Sequence, residues 1–108
     1  MDIKELTDRM HAFVNAKGWY APESRKPQTP RNLAISLSLE ANEVLELFQW
    51  QDSDPDSHEL ADELADVSLY LLQLASIAGI DLESAILEKL EQNYKREWPT
   101  DNNTEKVD

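Results

Sequence analysis

The spacing of apolar residues along the chain predicts four helices and no strand. Ile3, Leu6, Met10, Phe13 and Val14 recur at three- and four-residue intervals, one stripe of an α-helix. Asp2 stands ahead of them with Glu5 three positions on, the pattern of a capping box, and Gly18 follows as the terminating glycine. Residues 19–30 carry Pro22, Pro27 and Pro30 and read as a loop. Thr29 as N-cap and Pro30 in the first turn start a second helix, predicted to run to about Gln51. Asp52-Ser53-Asp54-Pro55 turns the chain into a third helix over roughly 56–78, which Gly79 closes. Asp81 caps a fourth over roughly 82–97. One helical domain over 1–99 is expected, with 100–108 as a flexible polar tail.

The second and third helices are apolar on more than one side. Leu33, Ile35, Leu37, Leu39, Val44, Leu45, Leu47 and Phe48 spread around the second. Leu60, Leu64, Val67, Leu69, Leu71, Leu72, Leu74 and Ile77 do the same on the third. A helix apolar on most sides is surrounded by protein. Four short helices of one chain cannot enclose two such helices, so a homo-oligomer is expected. The longest apolar stretch, Leu69–Ile80, is interrupted by Gln73, Ser76 and Gly79, which argues against a membrane span. The first residues lack the basic and apolar regions of a signal peptide, so a cytoplasmic location is expected.

Charge changes the picture further. Ten Lys and Arg against 22 Asp and Glu give a net charge of −12, which counts against nucleic acid or an anionic membrane as the main partner. There is no cysteine, hence no disulfide, thiolate metal site or thiol nucleophile. Some of the acids fall where acids are costly. Glu40 and Glu43 lie three apart on the second helix, and Glu63 and Asp66 three apart on the third, each pair bordered by Leu and Val. Acidic pairs are common on solvated helix faces, but two pairs on the most apolar helices are less easily placed in water. Buried carboxylates need protonation, pairing or a metal. Four of them facing one another would make a hard, oxygen-rich cage suited to Mg²⁺, with Mn²⁺ as a substitute.

A helical wheel carries Leu47 and Trp50 onto the side of Glu40 and Glu43, and Tyr70 onto the side of Glu63 and Asp66. Acids hold metal, metal holds phosphate, and an aromatic face stacks a base, so the combination suggests a nucleotide polyphosphate site. Trp19 has two equal readings: sealing one end of the bundle, or touching ligand. Glu46 and Glu59 are either further ligands or solvated acids, and His11 and His58 read as surface residues.

These residues resemble the MazG-like, all-α nucleoside triphosphate pyrophosphohydrolases, nearest their short single-domain, dCTP-cleaving type. The family motif E-x-x-E, spacer, E-x-x-D reads here Glu40-x-x-Glu43, nineteen residues, Glu63-x-x-Asp66. Pro30-Arg31-Asn32-Leu33, Glu46-Leu47-Phe48-Gln49-Trp50, Asp66-Val67-Ser68-Leu69-Tyr70-Leu71 and Lys89-x-x-x-Asn93-x-Lys95-Arg96 match as well. Glu97-Trp98-Pro99 stands where the family usually has Tyr-Pro or Phe-Pro directly, a departure that leaves the aromatic-proline step intact.

The resemblance implies an all-α four-helix bundle, assembled as a homodimer or homotetramer. It implies Mg²⁺-dependent cleavage of a nucleoside triphosphate to the monophosphate and pyrophosphate, with dCTP or related deoxypyrimidine triphosphates favoured. Carried over residue by residue, Glu40, Glu43, Glu63 and Asp66 would bind Mg²⁺. Trp19, Trp50 and Tyr70 would shape the nucleoside pocket, and Lys89, Asn93 and Lys95 would hold phosphate oxygens. Glu43 and Glu46 are the two candidates for accepting the proton of the attacking water. The rival readings are a non-enzymatic acidic helical interaction module and a carboxylate-bridged metalloprotein of other function. Against redox iron, no histidine follows either acid pair at Glu-x-x-His spacing.

Overall fold

Side chains at the ends of each segment set the elements. The computed structural model of the protein describes residues 1–96. The first helix, α1, spans Ile3–Ala16. The Glu5 amide donates to Asp2 Oδ1 at 2.9 Å and the Asp2 amide donates to Glu5 Oε2 at 3.3 Å, which completes the capping box. α2 spans Pro30–Phe48, with Thr29 Oγ1 accepting from the Asn32 amide at 3.2 Å. α3 spans Ser57–Ile77 behind Asp56, and α4 spans Leu82–Lys95 behind Asp81. Gly18 and Gly79 have φ of 76° and 73°, the left-handed conformation that glycine adopts without strain where a helix ends.

Two ends differ from the sequence expectation. α2 stops at Phe48 rather than near Gln51. Gln49 takes an extended ψ of 140° and Trp50 a φ of 69°, so the chain leaves the helix before the tryptophan. α4 stops at Lys95, and the expected end at 97 and the expected flexible tail lie outside the described residues.

α2 and α3 form the principal pair, an antiparallel hairpin, and α1 lies against α3. Among the described residues, Met10 and Val14 of α1, Leu33 of α2 and Ala75 of α3 are the buried apolar ones. They gather where α1 meets the start of α2 and the end of α3. Leu33 is only 2% exposed. Leu33→Ala should therefore cost about 2–5 kcal/mol, visible as a lower urea midpoint at fixed protein concentration. An unchanged midpoint would mean that the core is elsewhere.

The described residues fold as four helices, but they do not close a four-helix bundle. α4 leaves α3 at 101° and has no buried residue. The radius of gyration is 17.1 Å, against roughly 13 Å for a compact chain of this length. Among the described residues no single helix is long and apolar enough to cross a membrane.

Candidate metal and nucleotide site

Three of the four paired acids meet across the α2–α3 hairpin, and Asp66 lies outside that three-acid cluster. Glu40 and Glu43 come from the middle of α2 and Glu63 from the second turn of α3. Each offers a carboxylate oxygen, and these oxygens lie within 4.8 Å of one another. Glu40 and Glu63 are half-buried, while Glu43 is exposed between them. Glu40 Oε2 and Glu63 Oε2 are buried without a hydrogen-bond donor.

Electrostatics follow from that crowding. Burial, and then the Glu43 carboxyl beside it, hold Glu40 above the usual carboxylate range, and the charges of Asp66 and Glu63 add to the effect. For Glu63 the Glu43 carboxyl comes first, then burial, then the charges of Glu43, Asp66 and Asp62. No cation among the described residues stands among these causes. Donorless carboxylate oxygens converging from two helices fit a hard divalent cation. Asp66, one turn beyond Glu63, adds its field to both raised acids and also lines the neighbouring cavity.

That cavity has a volume of about 710 Å³, within the range that holds small-molecule ligands. Tyr70 and Trp19 line it, as do Phe13 and Leu33. Trp19 meets Phe13 edge to face, with ring centroids 5.8 Å apart and planes at 82°. It is half-buried and contributes to the cavity wall. Three cations that the sequence pattern did not single out also border this space: Arg9, Arg25 and Lys26. The Lys26 ammonium lies 5.4 Å from the Trp19 ring centroid.

Other candidates fall elsewhere in the single chain. Trp50 is 91% exposed and does not line the cavity, because the helix that would carry it onto the acid face has already ended. Glu46 lies one turn past Glu43 on α2 and is exposed, outside the three-acid cluster. Lys89, Asn93 and Lys95 sit on α4 and do not line the cavity, and Lys95 pairs with Glu91 at 2.9 Å.

A buried polar chain behind the cavity was not legible as such in the sequence. Gln73 is only 3% exposed and donates through Nε2 to Gln28 Oε1 at 2.9 Å and to the Tyr20 hydroxyl at 3.2 Å. His11, expected at the surface, is half-buried, with Nδ1 2.6 Å from the Tyr20 hydroxyl and Nε2 2.7 Å from Ser76 Oγ. One signal was available: Gln73 continues the Glu63–Asp66–Tyr70 face at helical spacing, a polar residue inside an apolar run.

Fold and site together define an all-α protein with an acidic, metal-competent centre beside an aromatic cavity. The chain belongs to the MazG-like family, which matches residues 35–107. It is 36% identical over 98 residues to dCTP pyrophosphatase 1 of Homo sapiens and 35% identical over 98 residues to that of Mus musculus. Each match covers 82% of this chain and 55% of the relative, so the chain spans little more than half the length of these proteins. A crystal structure of a pyrophosphatase from Archaeoglobus fulgidus superposes with a TM-score of 0.72 at 37% identity, covering 85% of this chain and 88% of that one.

Proposed function

We propose that this chain hydrolyses nucleoside triphosphates to the monophosphate and pyrophosphate with Mg²⁺, which Mn²⁺ can replace, favouring dCTP or related deoxypyrimidine triphosphates. The observation that carries this reading is the convergence of Glu40, Glu43 and Glu63 within 4.8 Å, with Asp66 joining them to a cavity walled by Trp19 and Tyr70. The relatives named dCTP pyrophosphatase support it.

A bound divalent cation would neutralise charge on phosphate oxygens and acidify a water. Glu40, Glu43, Glu63 and Asp66 would hold it. Glu43 or Glu46 would accept the water proton, and no Ser, Cys or His nucleophile is required. Trp19 and Tyr70, which line the cavity, would contact the base. Arg9, Arg25 and Lys26 border the same cavity and bring positive charge to an otherwise acidic chain. The decisive assay incubates the purified chain with Mg²⁺ and mixed nucleotides and quantifies pyrophosphate and monophosphate. Orthophosphate as first product would overturn the bond assignment. No turnover would favour a non-enzymatic module.

The site is read as complete only in a homo-oligomer. Leu39, Leu45 and Leu87 are 60%, 66% and 61% exposed, a large apolar surface on α2 and α4 for a protein in water. A second copy would cover these faces. It would also give Trp50, Lys89, Asn93 and Lys95 a route to the nucleotide from a neighbouring chain. Light scattering should give a multiple of 12.4 kDa at micromolar concentration, with an obligate interface on the order of 2,000 Å² or more. A stable monomer would overturn this assembly.

A further inference from the structure

We propose that Gln73 selects the base, its side-chain oxygen accepting a hydrogen bond from the exocyclic amino group of cytosine at the deep end of the cavity. The inference rests on reading the cavity as the nucleotide site.

The direction of the hydrogen bonds behind Gln73 fixes which end of its amide faces the cavity. Gln28 Nε2 donates to the Lys26 main-chain carbonyl at 2.7 Å. A carbonyl can only accept, so Gln28 must present its own Oε1 to Gln73. Gln73 answers with Nε2, at 2.9 Å, and the same nitrogen donates to the Tyr20 hydroxyl at 3.2 Å. Burial holds the Tyr20 phenol above its usual value, partly offset by that bond, so the hydroxyl keeps its proton. It lies 2.6 Å from His11 Nδ1, and His11 Nε2 lies 2.7 Å from Ser76 Oγ. Donors thus run outward from Gln73, through Gln28 to the Lys26 carbonyl on one side and to Tyr20 on the other. Both amide protons of Gln73 are consumed.

The Gln73 oxygen is the remaining polar atom of the side chain. It accepts from no described group, and Gln73 lines the cavity. The residue is 3% exposed, so most of the side chain is enclosed by protein. Turning the amide over would set two carbonyl oxygens face to face at Gln28, whose own orientation the Lys26 carbonyl fixes. The acceptor is therefore locked.

Position agrees with chemistry. Asp66, Tyr70 and Gln73 follow one another at four and three residues along one face of α3, and all three line the cavity. From Asp66 to Gln73 the helix rises about 10 Å. That is the reach of a nucleotide from its phosphates to the far edge of its base. With phosphates at the acidic end and Tyr70 beside the nucleoside, the base edge arrives at Gln73. Cytosine presents an amino group there and forms a hydrogen bond. Uracil and thymine present an oxygen, and two desolvated acceptors then face each other.

The test compares kcat/KM for dCTP, dUTP and the dCTP analogue that carries hydrogen in place of the C4 amino group, using the full chain with Mg²⁺. The wild-type protein should prefer dCTP over both by on the order of 10–100-fold. Gln73→Met, similar in size and without the acceptor, should bring all three substrates within a few-fold of one another while still turning over dUTP. The analogue comparison needs only the wild-type protein, so the proposal remains testable if the variant does not fold. A wild-type protein that treats dCTP and the analogue alike overturns the role of Gln73. So does a variant that slows all three substrates equally, as a merely structural residue would. Absence of pyrophosphate from every triphosphate overturns the hydrolase reading itself, and this proposal with it.

Discussion

Glu43→Gln is expected to abolish pyrophosphate release while the protein stays folded. Glu43 is the exposed acid between two half-buried ones, and its carboxyl raises both neighbours. Replacing it by the isosteric amide removes one negative charge from the cluster and one ligand from the proposed cation site. Electrostatic groups at a phosphoryl-transfer centre act where charge spreads in the transition state, so the loss in kcat/KM should be on the order of 10³-fold or more. Asp66→Asn should behave alike, because Asp66 joins the acids to the cavity. In the absence of metal both variants should melt at or above the wild-type temperature, since each removes a repulsion that nothing in the cluster compensates. That pairing separates chemistry from folding. If both variants kept near-normal turnover, the acid cluster would not be the reaction centre.

Much of this architecture is written in local patterns. The capping box of Asp2 and Glu5, the Thr29 cap ahead of Pro30 and the Asp81 cap of α4 are read from spacing because their hydrogen bonds span only three residues. The meeting of Glu40 and Glu43 with Glu63 was legible for a related reason. Each helix presents its acids at a fixed period, and a short turn between α2 and α3 folds one onto the other.

What escaped reading depends on longer range or on a single dihedral. A helical wheel places Trp50 on the acid face only if α2 continues, and the extended ψ of 140° at Gln49 ends the helix first. His11 looked like a surface residue because its partners, Tyr20 and Ser76, are 9 and 65 positions away. The departure of α4 depends on the turn at Gly79, whose presence is visible in sequence but whose exit direction is not.

The metal-free protein is expected to lose stability as pH rises above the ordinary carboxylate range, and divalent metal to restore it. Folding raises the proton affinity of Glu40 and Glu63 above that of ordinary carboxylates. The native state then holds more protons than the unfolded state between the ordinary carboxylate range and the raised values. Stability therefore falls as pH increases through that window and levels off above it. A cation competes with those protons for the same oxygens, so its affinity grows as they leave. At a concentration 100 times its dissociation constant it would add about 2.7 kcal/mol. Melting curves with chelator, and with Mg²⁺ at matched ionic strength, should diverge increasingly towards the alkaline end. The net charge of −12 introduces a general repulsion with the same sign. The Glu43→Gln variant distinguishes the two effects. Local crowding predicts that its metal-free stability depends less steeply on pH than the wild-type stability, whereas general repulsion predicts nearly parallel curves. Parallel curves, with no Mg²⁺ shift in either protein, would mean that these carboxylates neither repel one another appreciably nor hold a cation.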